Sequence, residues 1–191
     1  MADRIMVDTN VLLYAYDRGE PEKQPQALTV LDRLVAHDLG VLSSQVLAEF
    51  FVNATRKLQP PLTIEEAYDR IQNYLHAWKI VDITGPIVLE AVRGARTHKM
   101  AYWDAQIWAT ARMNQIPVVF SEDFGSGTVI EGVRIVNPFD PDFRIEAWVP
   151  EPREYEMRSS IPRSGVRRVA LPHWRGPIRA TTRLRFKACW I

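Results

Sequence analysis

Ile5-Met6-Val7-Asp8-Thr9-Asn10 decides how this chain is read: three apolar residues run directly into a carboxylate, a hydroxyl and an amide. A short, continuously apolar run is the pattern of a strand buried on both faces. Thr9 and Asn10 favour the start of a helix. Asp8 therefore sits where a central strand hands over to a helix. In an open parallel sheet that carboxyl edge is where ligands bind.

The rest of the chain repeats this alternation. Ala27, Val30, Leu31 and Leu34 fall at helical spacing within 25–37, and Gly40 stops the helix ahead of a short strand at 41–43. Ser44 is positioned to cap a helix running to Leu58, with Val46, Leu47, Phe50, Phe51 and Ala54 on its buried side, and Pro60-Pro61 ends it. Thr63 and Glu66 form a capping-box pattern for a helix reaching about Trp78. A strand at 79–83 follows, then a helix opened by Thr84 or Gly85, with Pro86 in its first turn, and a further helix over 103–114. Residues 117–120 and 133–136 read as strands, and Asn137-Pro138 closes the pattern. Strands alternating with helices predict an α/β fold. The expected form is a three-layer α/β/α sandwich around a central parallel sheet of four to five strands.

The 191 residues are 47% hydrophobic and 25% charged, enough for one domain with a core. A single cysteine, Cys189, excludes an internal disulfide. No apolar run approaches the roughly 18 residues of a membrane span. Met1-Ala2-Asp3-Arg4 leads straight into the first strand with no secretory signal, so a cytoplasmic location is expected. The net charge of +1 hides an asymmetry. Residues 158–191 carry eight Arg, one Lys and no acid, leaving 15 basic and 23 acidic residues in 1–157, a net of −8. Beyond Asp142 the periodicity fails. The expected organisation is a folded domain over 1–142 and a disordered Pro- and Arg-rich tail over 143–191.

Two strands share one design: Met6-Val7-Asp8 and Val119-Phe120-Ser121-Glu122-Asp123 are apolar runs ending in acids. A third acid, Asp104, opens the helix after Tyr102-Trp103, where a carboxylate meets the positive end of the helix dipole. Ile107, Trp108 and Ala111 follow it at i+3, i+4 and i+7, so Asp104 shares the stripe that faces the sheet. No Arg or Lys lies nearby in sequence to neutralise it. Glu49 is the fourth candidate, although the apolar stripe of its own helix lies mostly on the other side and spacing alone favours a solvated side chain. Four converging carboxylates cannot all stay ionised without a cation. Oxygen ligands without Cys or His suit Mg²⁺ or Mn²⁺ better than Zn²⁺. Such a site supports metal-assisted phosphodiester hydrolysis. Each acid also has a structural reading: Asp8 and Asp104 as helix-start residues, Glu122 and Asp123 as the opening of a Gly-rich turn. Trp78, Trp103 and Trp108 read as core or cleft-edge packing, and the scattered His37, His76, His98 and His173 suggest no Ser-His-Asp arrangement.

Val-Asp-Thr-Asn-Val at 7–11, a Glu in the third helix, Trp-Asp-Ala at 103–105 and Ser-Glu-Asp-Phe at 121–124 occur in the order found in the PIN-domain family. Over about 1–140 the chain most resembles the VapC-type toxins of bacterial type II toxin–antitoxin pairs. The resemblance implies a ribonuclease whose four acids bind Mg²⁺ or Mn²⁺ and cleave RNA. It also implies a cognate antitoxin that blocks the cleft, and a homodimer. Matched motif to motif, the catalytic acids would be Asp8, Glu49, Asp104 and Asp123, with Asp8 and Asp104 as metal ligands. Thr9 would orient the first acid or a water. Ser121 stands where the family often has Thr, and the pattern points to Asp123 rather than Glu122.

Other readings fit the residues less well. A phosphatase of the Asp-x-Asp-x-Thr type needs an acid where this chain has Asn10. A phosphoacceptor receiver domain needs a Lys after its fifth strand, and 118–123 contains none. A catalytically silent PIN-like RNA-binding or interaction module remains the alternative. An acidic body is an unfavourable surface for RNA, so Arg56, Lys57, Arg93, Arg96, Lys99 and Arg112 are candidates to line a cleft.

Overall fold

A computed structural model describes residues 4–149. The order of elements is β1 (Ile5–Val7), α1 (Thr9–Tyr14), α2 (Lys23–Ala36), β2 (Gly40–Ser43), α3 (Ser44–Ala54), α4 (Ile64–Ala77), β3 (Lys79–Val81), α5 (Gly85–His98), α6 (Tyr102–Met113), β4 (Val118–Phe120), β5 (Val129–Ile130) and β6 (Val133–Val136), followed by a 3₁₀ turn at Ile145–Ala147. The sheet order is β3-β2-β1-β4-β6-β5, with every neighbouring pair parallel except β5 and β6.

This order fixes the layers. The chain steps from β1 to β2 to β3 in one direction, then jumps back past β1 to β4. Right-handed crossovers therefore put α1–α4 on one face and α5 and α6 on the other. The helix contacts agree: α1 packs on α2 and α3, α3 on α4, and α5 on α6. The direction of winding reverses between β1 and β4, which pair Ile5 with Val118, Met6 with Val119 and Val7 with Phe120. Asp8 and Ser121 thus emerge side by side at the switch point, the place where open α/β sheets bind their ligands. All residues of β1, β2 and β4 are buried, as a parallel sheet covered on both faces requires.

Several local expectations shift. Ser43 rather than Ser44 caps α3, accepting from the Val46 amide at 3.2 Å. That helix ends at Ala54, short of Leu58, because the chain turns over Thr55–Lys57 into the buried Leu58. The capping box forms as read: the Glu66 amide donates to Thr63 Oγ1, and the Thr63 amide to Glu66 Oε2. The structure adds β5, an antiparallel edge to the five parallel strands. Its hairpin turns through Glu131 and Gly132, both at positive φ (45° and 88°), the pattern of a type I′ turn.

The domain also extends past the expected boundary at 142. Phe143, Ile145 and Val149 are buried in the main core, and Phe120 meets the rings of Phe143 and Trp148 edge-on at 5.5 and 5.9 Å. Only the part of the expected tail beyond 149 lies outside the described residues.

Close packing of α5 on α6 depends on Gly94. A Cβ there would stand 2.5 Å from Cζ3 and 2.8 Å from Cε3 of Trp108. Trp108 is fully buried and donates from Nε1 to the Ile130 carbonyl at 3.0 Å, so it cannot swing away freely. On an open helix face Gly→Ala would stabilise by about 1 kcal/mol. Here overpacking should win, and Gly94→Ala is expected to lower stability by about 1–3 kcal/mol in urea titrations. A stabilised variant would show that the α5–α6 contact relaxes without strain.

Candidate active site

The end of β1 builds the site. Asp8 is the N-cap of α1, in extended conformation, and its Oδ1 accepts from the Thr9 amide at 2.6 Å. Its Oδ2 accepts from Ser121 Oγ at 2.6 Å and from Asn10 Nδ2 at 3.2 Å. Asp8 is only 4% exposed. Burial pushes its pKa up to about 7; hydrogen bonds from Ser121 and Thr9 pull the other way, and Asp123 and Glu49 add repulsion. The capping expectation and the site expectation thus fall on one residue: Asp8 caps α1 and also belongs to the carboxylate cluster.

Asn10, expected at the start of a helix, is the hub of the site. Its Nδ2 lies 3.1 Å from Asp123 Oδ2 and 3.2 Å from Ser121 Oγ as well as reaching Asp8. Its Oδ1 is buried and has no hydrogen-bond partner among the described residues. Ser121 also accepts from the Asp123 amide at 3.2 Å, which fixes the turn after β4. Glu122 goes elsewhere. It accepts from Lys23 Nζ and from Tyr14 Oη, both at 2.5 Å, and against the opposing pull of burial these bonds hold its carboxyl below the usual range. The two adjacent acids therefore divide: Asp123 joins the cluster, and Glu122 clips the turn to α1 and α2.

Glu49 departs from the solvated position that its helix pattern favours. Because α3 packs against α1, Thr9 Oγ1 donates to Glu49 Oε2 at 3.1 Å across the interface. Gln45, one turn earlier, donates from Nε2 to Glu49 Oε1 at 2.8 Å and to the Trp103 carbonyl at 3.2 Å. Through Gln45 the helix carrying Glu49 is tied to the start of α6, where Asp104 lies in the first turn. Burial raises the Asp104 pKa, and Asp123 and Glu49 raise it further. Asp8 and Asp104 thus answer to the same two acids, on the same edge of the sheet. None of the four expected acids makes an ion pair with a Lys or Arg among the described residues.

The donor chemistry suits a hard divalent ion: carboxylate oxygens without a cationic partner, a buried acid with a raised pKa, and an orphaned amide oxygen beside it. The arrangement is nonetheless pairwise. No group of three or more His, Cys, Asp or Glu among the described residues is set to hold a metal ion as it stands. Carboxylates that repel one another need an ion, or a proton, to draw closer.

Of the cations expected near a cleft, Arg93 and Arg112 are committed to an ion-pair network on the outer surface. Arg93 reaches Glu90 at 2.6 Å and Glu131 at 2.7 Å, and Arg112 reaches them at 2.9 and 3.0 Å. Lys57 does line a cleft of about 700 Å³ that opens beside Glu49, between α3 and the start of α6. No helix of the described residues is long and apolar enough to cross a membrane.

Solved structures share this fold. A toxin–antitoxin complex from Klebsiella pneumoniae matches with a TM-score of 0.52 at 20% identity, covering 70% of this chain and 97% of that one. VapC20 of Mycobacterium tuberculosis, described as a sarcin-ricin loop cleaving toxin, matches with a TM-score of 0.52 at 21% identity, covering 68% and 98%. VapBC2 from Rickettsia felis, bound to a DNA fragment from its promoter, matches with a TM-score of 0.51 at 16% identity, covering 69% and 96%. No curated protein matches the sequence. The family model of the PIN domain matches residues 5–125, a span that runs from β1 to just beyond Asp123. With the switch-point site and the strand order in place, the chain belongs to the PIN domain family.

Proposed function

We propose that this chain is a metal-dependent endoribonuclease, the toxin component of a type II toxin–antitoxin pair, acting on RNA at Asp8, Glu49, Asp104 and Asp123. The observation that carries this reading is the gathering of acids at the switch point with no basic residue among the described ones to neutralise them. A purely structural cluster would be expected to pair its charges. The toxins among the structures of similar fold support the same reading.

Asp8 and Asp104 would hold Mg²⁺ or Mn²⁺, with Asp123 beside them. When bound, such an ion neutralises and polarises the scissile phosphate. The chain's own residues do the rest. Asn10 and Ser121 hold Asp8 and Asp123 at a fixed separation. Thr9 and Gln45 grip both oxygens of Glu49, orienting its carboxylate to take a proton from the attacking water. Lys23 and Tyr14 hold the turn that presents Asp123. A cognate antitoxin, RNA as substrate, a homodimeric state and a cytoplasmic location belong to the same proposal.

The test is cleavage of a panel of structured and single-stranded RNAs by the purified chain. Cleavage with Mg²⁺ or Mn²⁺ that stops on adding chelator is the expected result. Tight binding of RNA without cleavage under either metal would favour the catalytically silent module instead.

A further inference from the structure

We infer that the cleft beside Glu49 is a nucleobase subsite, which takes an unpaired base of single-stranded RNA flanking the scissile phosphate. The inference rests on the nuclease reading and names a feature of its substrate. The cleft's volume of about 700 Å³ lies in the range of small-molecule sites. It is continuous with the acids: Glu49 lines it, Trp103 precedes Asp104, and Gln45 bonds to both Glu49 and the Trp103 carbonyl.

The lining suits a base better than a phosphate. Trp103 is 59% exposed, an unusual position for an indole that packing would bury, and Tyr102 braces it edge-on at 5.2 Å. An exposed indole is a stacking platform that accepts any base. Gln106, one turn along α6, is only 5% exposed, yet its side-chain amide makes no hydrogen bond among the described residues. Because it lines the cleft, this amide presents a donor and an acceptor that a ligand can meet in place of water. Asn53, from α3, adds a second side-chain amide with no hydrogen bond among the described residues. These two groups match the mixed donor and acceptor edges of a base. Glu49 in the lining would repel a phosphate, while Lys57, also in the lining, can meet the backbone of the next nucleotide.

The experiment sequences the ends produced when the full chain cleaves a random-sequence single-stranded RNA pool, and measures KM on a short RNA taken from that profile. Wild type is expected to show a base preference at one position beside the cut. Trp103→Ala should flatten that preference and raise KM about 5- to 150-fold, the stacking of one base expressed as affinity. Trp103→Phe should keep both, and Gln106→Met should change which base is preferred. An abasic residue at that position should cost wild type the same factor and cost Trp103→Ala nothing. A Trp103→Ala chain with an unchanged profile and KM overturns the subsite and leaves the cleft to a protein partner. If wild type cleaves no RNA, the nuclease reading fails separately, and anisotropy with a labelled oligonucleotide then decides the subsite. Loss of affinity in Trp103→Ala supports it and unchanged affinity overturns it.

Discussion

Asp8→Asn is expected to abolish RNA cleavage, by at least about 10²–10³-fold, while making the metal-free protein more stable at pH 8. The two effects share one cause. The folded state pushes the Asp8 carboxyl from 3.8 up to about 7, chiefly by burial. A pKa raised on folding means that the native state binds this proton more tightly than the unfolded chain does. The contribution is neutral below about pH 4, where both states are protonated. It becomes progressively destabilising between about pH 4 and 7, and stays at its full value above that. A shift of about three units sets an upper bound of about 4 kcal/mol. The amide substitution removes that penalty but disturbs the hydrogen bonds. The introduced NH₂ must face Ser121 Oγ and the Asn10 amide, where an oxygen had accepted from both. That disturbance costs about 1 kcal/mol at any pH. The variant should therefore melt above wild type at pH 8 and level with it or slightly below at pH 4. Mg²⁺ or Mn²⁺ should raise the melting temperature of wild type at pH 8 but not that of the variant. A variant that loses stability equally at both pH values would show that Asp8 serves as a cap alone.

The parts of this site that were legible in sequence are those carried by local pattern. Asp8 follows a buried strand and Asp104 begins a helix, and both features are visible within a few residues. Glu49 was not legible by spacing, because what holds it is Thr9, 40 residues away, across the α1–α3 interface. Asn10 was read as a helix former, since its bonds to Ser121 and Asp123 span 111 and 113 residues. The division of labour between Glu122 and Asp123 turns on Lys23 and Tyr14, which no pattern at 121–124 announces. Arg93 and Arg112 looked available for RNA because Glu131, which holds both, lies on a hairpin too short to register as a strand. Its Glu-Gly turn also lacks the Asn-Gly or Asp-Gly that usually marks the type.

The domain boundary was misplaced for a related reason, and it yields the other large effect. Residues 143–149 have no helical or alternating period, so they read as the start of the tail, yet a single 3₁₀ turn delivers Phe143, Ile145 and Val149 to the core. Burying each such side chain contributes about 1.5–3 kcal/mol. Losing all three removes an amount comparable with the whole stability of a typical domain, about 5–15 kcal/mol. A chain truncated after Asp142 is therefore expected to lose its cooperative melting transition. One truncated after Pro152 should keep it, since the sequence beyond carries the Arg-rich composition with no apolar period. The loss should reach the site as well. Phe143 and Trp148 hold the Phe120 ring from two sides, and Phe120 is the last residue of β4 before Ser121 and Asp123. Phe143→Ala tests this on a milder scale. It should cost about 3–5 kcal/mol, or less in proportion as the neighbouring Trp148 collapses into the space. If the variant remains folded, the pH dependence of its stability should weaken, because a loosened β4 end lets water reach Asp8 and lowers the burial penalty on its charge. Full retention of wild-type melting after truncation at 142 would show instead that the segment only rests on a core already complete without it.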